Sequence, residues 1–210
     1  MRVRSTRAES ERESGKEEIV DAMQYLSDVA RLLAAAPVDD IAAAADVLWE
    51  TYARDGTVIT IGNGGSAATA SHFASDLLKW TIAPDRRRVR ALALTDNVAA
   101  ITAWSNDVDY ERVFVEQLTS VFRPGDTLVA ISCSGESASV LRAVEWARVR
   151  GGASIGLCGR DGGRLARLVD LGVVVEDDFL PRVEDVHLAL CHALAVDLAE
   201  RVARTPAASP

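Results

Sequence analysis

TVITIGNGGSAATASHFASDLLKW (residues 57–80) decides the fold. TVITIG is a short β-branched apolar run, the composition of a buried strand. Asn63-Gly64-Gly65 breaks it, and from Ser66 the apolar positions recur at helical spacing to Trp80. The unit is therefore strand, glycine turn, helix. It recurs along the chain: VRALALT (89–95) precedes a helical stretch, TLVAISCS (127–134) precedes GESASVLRAVEWARVR, ASIGLCG (153–159) precedes RDGGRLARL, and LGVVVE (171–176) precedes a long helix over about 181–204. RPGD (123–126) is a turn signal before the third strand. Continuously apolar strands alternating with amphipathic helices predict an α/β protein with a parallel sheet covered on both faces. Residues 17–36 and 39–54 add two helices with no strand partner, expected to pack beside the sheet or against another subunit. The reading is one domain over 17–204, a disordered extension at 1–16 and a flexible tail at 205–210.

Composition sets the class. No apolar run approaches the ~18 residues of a membrane span, and the charged start MRVRSTRAESERESGKEE has no apolar core of the secretory kind. Three scattered cysteines, Cys133, Cys158 and Cys191, fit reduced thiols. These features predict a cytoplasmic protein, without nucleic-acid or membrane partners. A net charge of −8, read as carrying no basic patch, agrees.

In parallel sheets ligands bind outside the carboxyl ends of the strands. Two Gly/Ser loops fall there. Gly62–Ser66 lets the backbone approach a ligand, with a helix N-terminus behind it. It is neither a dinucleotide fingerprint nor a P-loop. Ser132-Cys133-Ser134-Gly135-Glu136-Ser137 offers three hydroxyls at the next such junction, donors suited to a phosphate monoester. Taken singly, the first also fits a tight turn and the second an N-cap with spare serines. The polar side chains form a second group. His72 and Asp76 are spaced i, i+4 on one helix. Glu184, His187 and His192 share the last, with Glu184 about two turns before His192. Such pairs can build a site for a divalent ion; they also fit caps, surface ion pairs and a buried histidine.

The blocks GNGGSA…HFASDL, SNDVDYERVFVEQL, RPGDTLVAISCSGES, GRDGG and PRVEDVHLALCH, in this order over about residues 18–200, resemble the SIS (sugar isomerase) domain and, within it, the phosphoheptose isomerases. Those enzymes interconvert sedoheptulose 7-phosphate and D-glycero-D-manno-heptose 7-phosphate. The resemblance implies a three-layer αβα sandwich with a flavodoxin-like sheet and a homotetramer whose active sites lie between subunits. It implies that Ser132, Ser134 and Ser137 cradle the phosphate, that Asn63, Gly64, Gly65 and Ser66 line the sugar, and that Asn106 and Asp107 contact its hydroxyls. Cys133, Asp76 and Glu184 complete the substrate-contacting set. It also implies a divalent metal, zinc in most of the family, held by His72, Asp76, Glu184 and His192, with His187 outside the ligand set. Asp76 is the expected base and His192 the expected acid of an enediol mechanism. Two positions depart from the family pattern: Asp76 stands where it has Glu, and Glu184 where it has Gln. The departures leave room for a second reading, a non-catalytic SIS protein of the replication-initiator-binding type, and for a third, a sugar-phosphate sensor.

Overall fold

The computed structural model describes residues 21–205; the expected extension at 1–16 and residues 206–210 of the tail lie outside them. Two helices come first, α1 (Ala22–Ala34) and α2 (Val38–Ala53). The Asp21 side chain caps α1 by accepting from the Gln24 N–H at 2.8 Å. Five strands follow: β1 (Thr57–Gly62), β2 (Arg90–Ala93), β3 (Thr127–Ser132), β4 (Ala153–Gly159) and β5 (Leu171–Val175). Between and after them run α3 (Gly65–Lys79), α4 (Val98–Asp107), a 3₁₀ turn (Tyr110–Arg112), α5 (Val113–Val121), α6 (Ala138–Arg148), α7 (Gly163–Leu168) and α8 (Leu180–Arg204).

The strands pair in the order β2-β1-β3-β4-β5, all parallel. This is the flavodoxin-like order, in which the chain reverses direction across the sheet between β1 and β3. Alternate strand residues feed two cores. Val58, Val129, Ile155 and Val173 face α2, α3 and α8, with Leu48, Phe73, Leu77 and Leu194 packed on them. Ile59, Leu128, Ala130 and Cys158 face α5, α6 and α7, with Phe114, Leu118, Val144 and Leu165. Ile59, Leu128, Ile155 and Leu157 are fully buried, which explains why these strands read as unbroken apolar runs. The result is the expected αβα sandwich.

The two opening helices lie on the α8 side. Val29 and Leu32 of α1 and Ala44 and Leu48 of α2 join that core. Tyr25 OH donates to Asp185 at 2.6 Å, and Arg182 pairs with both Asp28 and Asp177 at 3.0 Å. Burial and the Asp185 carboxylate push the Tyr25 hydroxyl up to about 12. The RPGD turn is built as its composition suggests: buried Asp126 accepts from Arg123 N–H and Thr57 N–H, both at 2.7 Å, so it ties the turn to the start of β1. One expectation needs correcting. Arg86, Arg87, Arg88 and Arg90 form a basic run just before and into β2. Two of them, Arg87 and Arg90, meet Asp55 at 3.3 and 3.9 Å, so the run is partly neutralised. Among the described residues, no helix is long and apolar enough to cross a membrane.

Candidate functional site

Gly62 at the end of β1 sits opposite Ile131 of β3, so the two Gly/Ser loops leave neighbouring strands at the point where the sheet reverses. They enclose a cavity of about 150 Å³ lined by Asn63, Ser66, Ser132, Cys133, Ser134, Ser137 and Glu184, with Ile131 and Leu180. Gly64 caps α3 with φ +56°, a backbone shape that favours glycine, and no side chain caps that helix. Ser137 caps α6 without using its own hydroxyl on the helix. That hydroxyl accepts from Ser132 Oγ at 3.2 Å, and Ser134 Oγ accepts from the Glu136 N–H at 3.2 Å. The pocket thus gathers serine hydroxyls beside the N-terminus of α6, donors that fit a phosphate.

The GRDGG segment supports this loop from behind. Gly135 has φ +65°, and a Cβ there would lie 2.3 Å from the Gly162 carbonyl oxygen. Leu165 N–H donates to the Gly135 carbonyl at 3.0 Å, and Glu136 accepts from Arg164 N–H at 2.7 Å. A larger hollow lies at the ends of β4 and β5, but Asp161, Glu176, Asp177 and Asp178 line it with Arg160. Four carboxylates repel a phosphate, so the serine-lined cavity is the better candidate despite its size.

The second group forms where α3 crosses α8. Asp76 Oδ2 lies 3.5 Å from His72 Nε2 and 3.4 Å from His192 Nε2, and the two imidazole nitrogens are 3.2 Å apart. Zinc bonds of about 2.0–2.1 Å in a tetrahedral shell separate ligand atoms by roughly 3.3–3.4 Å, the spacing found here. Asp76 is 5% exposed, and its Oδ2 is buried with no hydrogen-bond partner. An orphaned buried carboxylate oxygen facing two imidazoles fits a cation. His72, Asp76 and His192 can therefore hold a metal.

Glu184 stands outside this trio. Eight residues before His192, it sits about 12 Å back along the helix, and its carboxylate lies over Gly65, where a Cβ would come within 2.3 Å of Oε1. The expected four-ligand set is thus three residues here, with Glu184 lining the loop cavity. His187, expected outside the set, is fully buried. Its Nε2 donates to the Cys158 carbonyl at 3.0 Å, leaving Nδ1 toward Cys133 Sγ at 3.9 Å. Burial depresses the imidazole to about 4, so it is neutral. Burial raises all three thiols, that of Cys158 to about 12, and all three cysteines are free and buried.

Asn106 and Asp107 end α4, which buries no residue, and they bond each other at 2.7 Å. Neither lines the cavity. Two residues that sequence reading did not single out bond to its lining residue Asn63: Tyr110 OH donates to Asn63 Oδ1 at 2.8 Å, and Asn63 Nδ2 donates to Ser139 Oγ at 2.9 Å. The DVDYER segment gives no pattern that marks Tyr110.

Residues 24–159 match the SIS domain family. The chain is 38% identical over 183 residues to a phosphoheptose isomerase of Roseiflexus sp., covering 87% of this chain and 92% of that protein. It is 41% identical over 181 residues to the lincomycin biosynthesis protein LmbN of Streptomyces lincolnensis, covering 81% of this chain and 66% of that protein's length. Among solved structures, the phosphoheptose isomerase GmhA of Neisseria gonorrhoeae superposes with a TM-score of 0.74 at 34% identity, over 86% of this chain and 93% of that one.

Proposed function

The chain belongs to the SIS domain family, among the phosphoheptose isomerases, and on that premise we propose that it interconverts sedoheptulose 7-phosphate and D-glycero-D-manno-heptose 7-phosphate. The observation that carries the reading is the cavity between the β1 and β3 loops, where Ser132, Ser134 and Ser137 converge at the open N-terminus of α6. A phosphate seated there accepts hydroxyl and amide hydrogen bonds without needing a side-chain cation. Asn63, Gly64, Gly65, Ser66, Cys133 and Glu184 border the adjoining space for the sugar.

The reaction moves one proton between neighbouring carbons. In the ketose-to-aldose direction, Asp76 takes a proton from C1 while His192 gives one to the C2 carbonyl oxygen, leaving an enediol. Return of a proton to C2, with loss of the O1 proton, completes the aldose. A divalent ion held by His72, Asp76 and His192, zinc in this reading, would supply Lewis-acid polarisation of the substrate oxygens. Aspartate is one methylene shorter than glutamate, so the reading requires the substrate carbon to sit correspondingly closer to α3.

Within one chain the cavity and the trio are separated: Ser66 to Asp76 is ten residues of α3, about 15 Å. That gap supports a site completed between copies, with the serine loop of one subunit meeting the trio of another. Helix α4, which buries no residue, and the exposed Met23 and Leu26 of α1 are candidate faces for such a homotetramer. The reading takes residues 17–204 as one SIS domain in the cytoplasm, with Asn106 and Asp107 reaching substrate in the assembly. It is tested by NMR in D₂O: zinc-loaded protein should exchange a C1 proton of sedoheptulose 7-phosphate for deuterium and build up the aldose labelled at C2. Binding of the sugar phosphate with no exchange would overturn the isomerase reading and leave a sensor.

A further inference from the structure

We infer that Tyr110 is a positioning residue: by holding the Asn63 amide it ties the α4–3₁₀ segment to the phosphate cavity and fixes how the sugar end of the substrate is received. The inference rests on the proposed isomerase reading and extends it to a residue outside the expected site set.

The case starts from the amide. Asn63 is half-buried on the β1 loop and lines the cavity. A side-chain amide has two chemically different ends, and its usefulness to a ligand depends on which end faces it. Here both ends are engaged. The oxygen accepts from the Tyr110 hydroxyl at 2.8 Å, and the nitrogen donates at 2.9 Å to Ser139 Oγ in the first turn of α6. Ser139 is itself 2% exposed and cannot swing away. The bridge therefore runs from the 3₁₀ turn, across the mouth between the two loops, to the helix that receives the phosphate.

The second strand of the case is what Tyr110 is attached to. Helix α4 buries none of its residues fully; half-buried Ile101 packs on the core and the Asn97 side chain caps it. The 3₁₀ turn that follows is tied to α5 by the Arg112–Glu116 ion pair, to the β1 loop by the Tyr110–Asn63 bond and to α6 by the Glu111–Arg142 ion pair at 2.5 Å. The last two hold the segment carrying Asn106 and Asp107 against the cavity side of the sheet. The Arg142–Glu111 pair is exposed, at 52% and 41%, and contributes little. The tyrosine bond is the one that ends on a cavity residue.

The test uses the full chain and compares wild type with Tyr110→Phe, Asn63→Ala and the double variant. The phenyl ring keeps the packing and removes only the hydroxyl. Loss of one hydrogen bond to a cavity residue is expected to lower kcat/KM for sedoheptulose 7-phosphate by roughly tenfold. The inhibition constant of inorganic phosphate should stay within about twofold, because the serine loop is untouched. The double variant should be no worse than Asn63→Ala alone, since both changes break the same bridge. Ser139→Ala, which frees the other end of the amide, should reproduce the loss. Unchanged kcat/KM in Tyr110→Phe, additive losses in the double variant, or equal weakening of inorganic phosphate would each overturn the inference. Calorimetric affinity for the sugar phosphate carries the same comparison independently of turnover. A wild type that binds but does not isomerise counts against the isomerase reading alone.

Discussion

Asp76→Asn separates the metal trio's charge from its shape. The substitution keeps the volume of a side chain that is 5% exposed, but it removes the one formal anion among three ligand atoms standing 3.2–3.5 Å apart. In the metal-free protein Asp76 Oδ2 is buried without a hydrogen bond, and such an atom costs about 1–3 kcal/mol. Neutralising it should leave the metal-free protein no less stable. Binding should show the opposite trend. With free zinc at about 100 times its dissociation constant, the wild type gains about 2.7 kcal/mol. For a chain of this size that raises Tm by roughly 5–11 °C. Changes even to residues behind the ligands cost up to about 100-fold in metal affinity, so loss of a direct anionic ligand should cost at least that. At the same zinc concentration the remaining gain is then near RT ln 2, about 0.4 kcal/mol, a shift of about 1–2 °C. Scanning calorimetry with and without zinc makes the comparison, and turnover should fall by at least about 10² if the same carboxylate is the base. An undiminished zinc shift in Asp76→Asn, no shift in the wild type, or a metal-free variant that melts several degrees lower would refute the reasoning.

Two further outcomes follow from the packing. His187 is held neutral with its imidazole depressed from the usual 6.5 to about 4. Between those values the unfolded chain binds a proton that the native state refuses, so stability should fall as pH drops from about 6.5 toward 4, by up to about 3 kcal/mol. Urea titrations across that range should show a shallower acid loss in His187→Asn than in wild type, and equal slopes would exclude the assignment. Gly135→Ala places a Cβ 2.3 Å from the Gly162 carbonyl at φ +65°. The left-handed backbone alone costs about 1–2 kcal/mol, so the variant should melt several degrees lower and bind inorganic phosphate more weakly, whereas a wild-type melt and affinity would show that the two glycine loops do not brace each other.

Much of this was legible in the residue order, for reasons that can be named. TVITIG and ASIGLCG are strands over their full predicted lengths because both faces of the central sheet are covered; most positions are apolar, and buried Thr60 and Ser154 hydrogen-bond to the Ala70 carbonyl and Asp170. VRALALT reads longer than the Arg90–Ala93 strand it forms, since β2 is an edge with one neighbour and its ladder ends sooner. The juxtaposition of the two loops followed from their strand-to-helix positions; the i, i+4 spacing paired His72 with Asp76, and the family resemblance added His192. Other features had no local signal. Glu184 leaves the trio for Gly65 because of helix rise and rotamer, neither of which its spacing to His187 encodes. Tyr110 meets Asn63 across 47 positions of chain, a contact set by the crossover through α4 and visible only once the sheet is assembled.

The cavity between the two loops contains serine hydroxyls, one thiol, one amide and one carboxylate; among the described residues no lysine or arginine lines it. On the proposed reading, its grip on phosphate would be a matter of contact, not of field. Hydroxyls and helix amides act within the first shell, whereas the chain as a whole carries a net charge of −8 that opposes an approaching dianion. Capture of the sugar phosphate should then be slow for a charged ligand and, unlike arginine-clamped sites, should quicken rather than weaken as added salt screens the surrounding carboxylates.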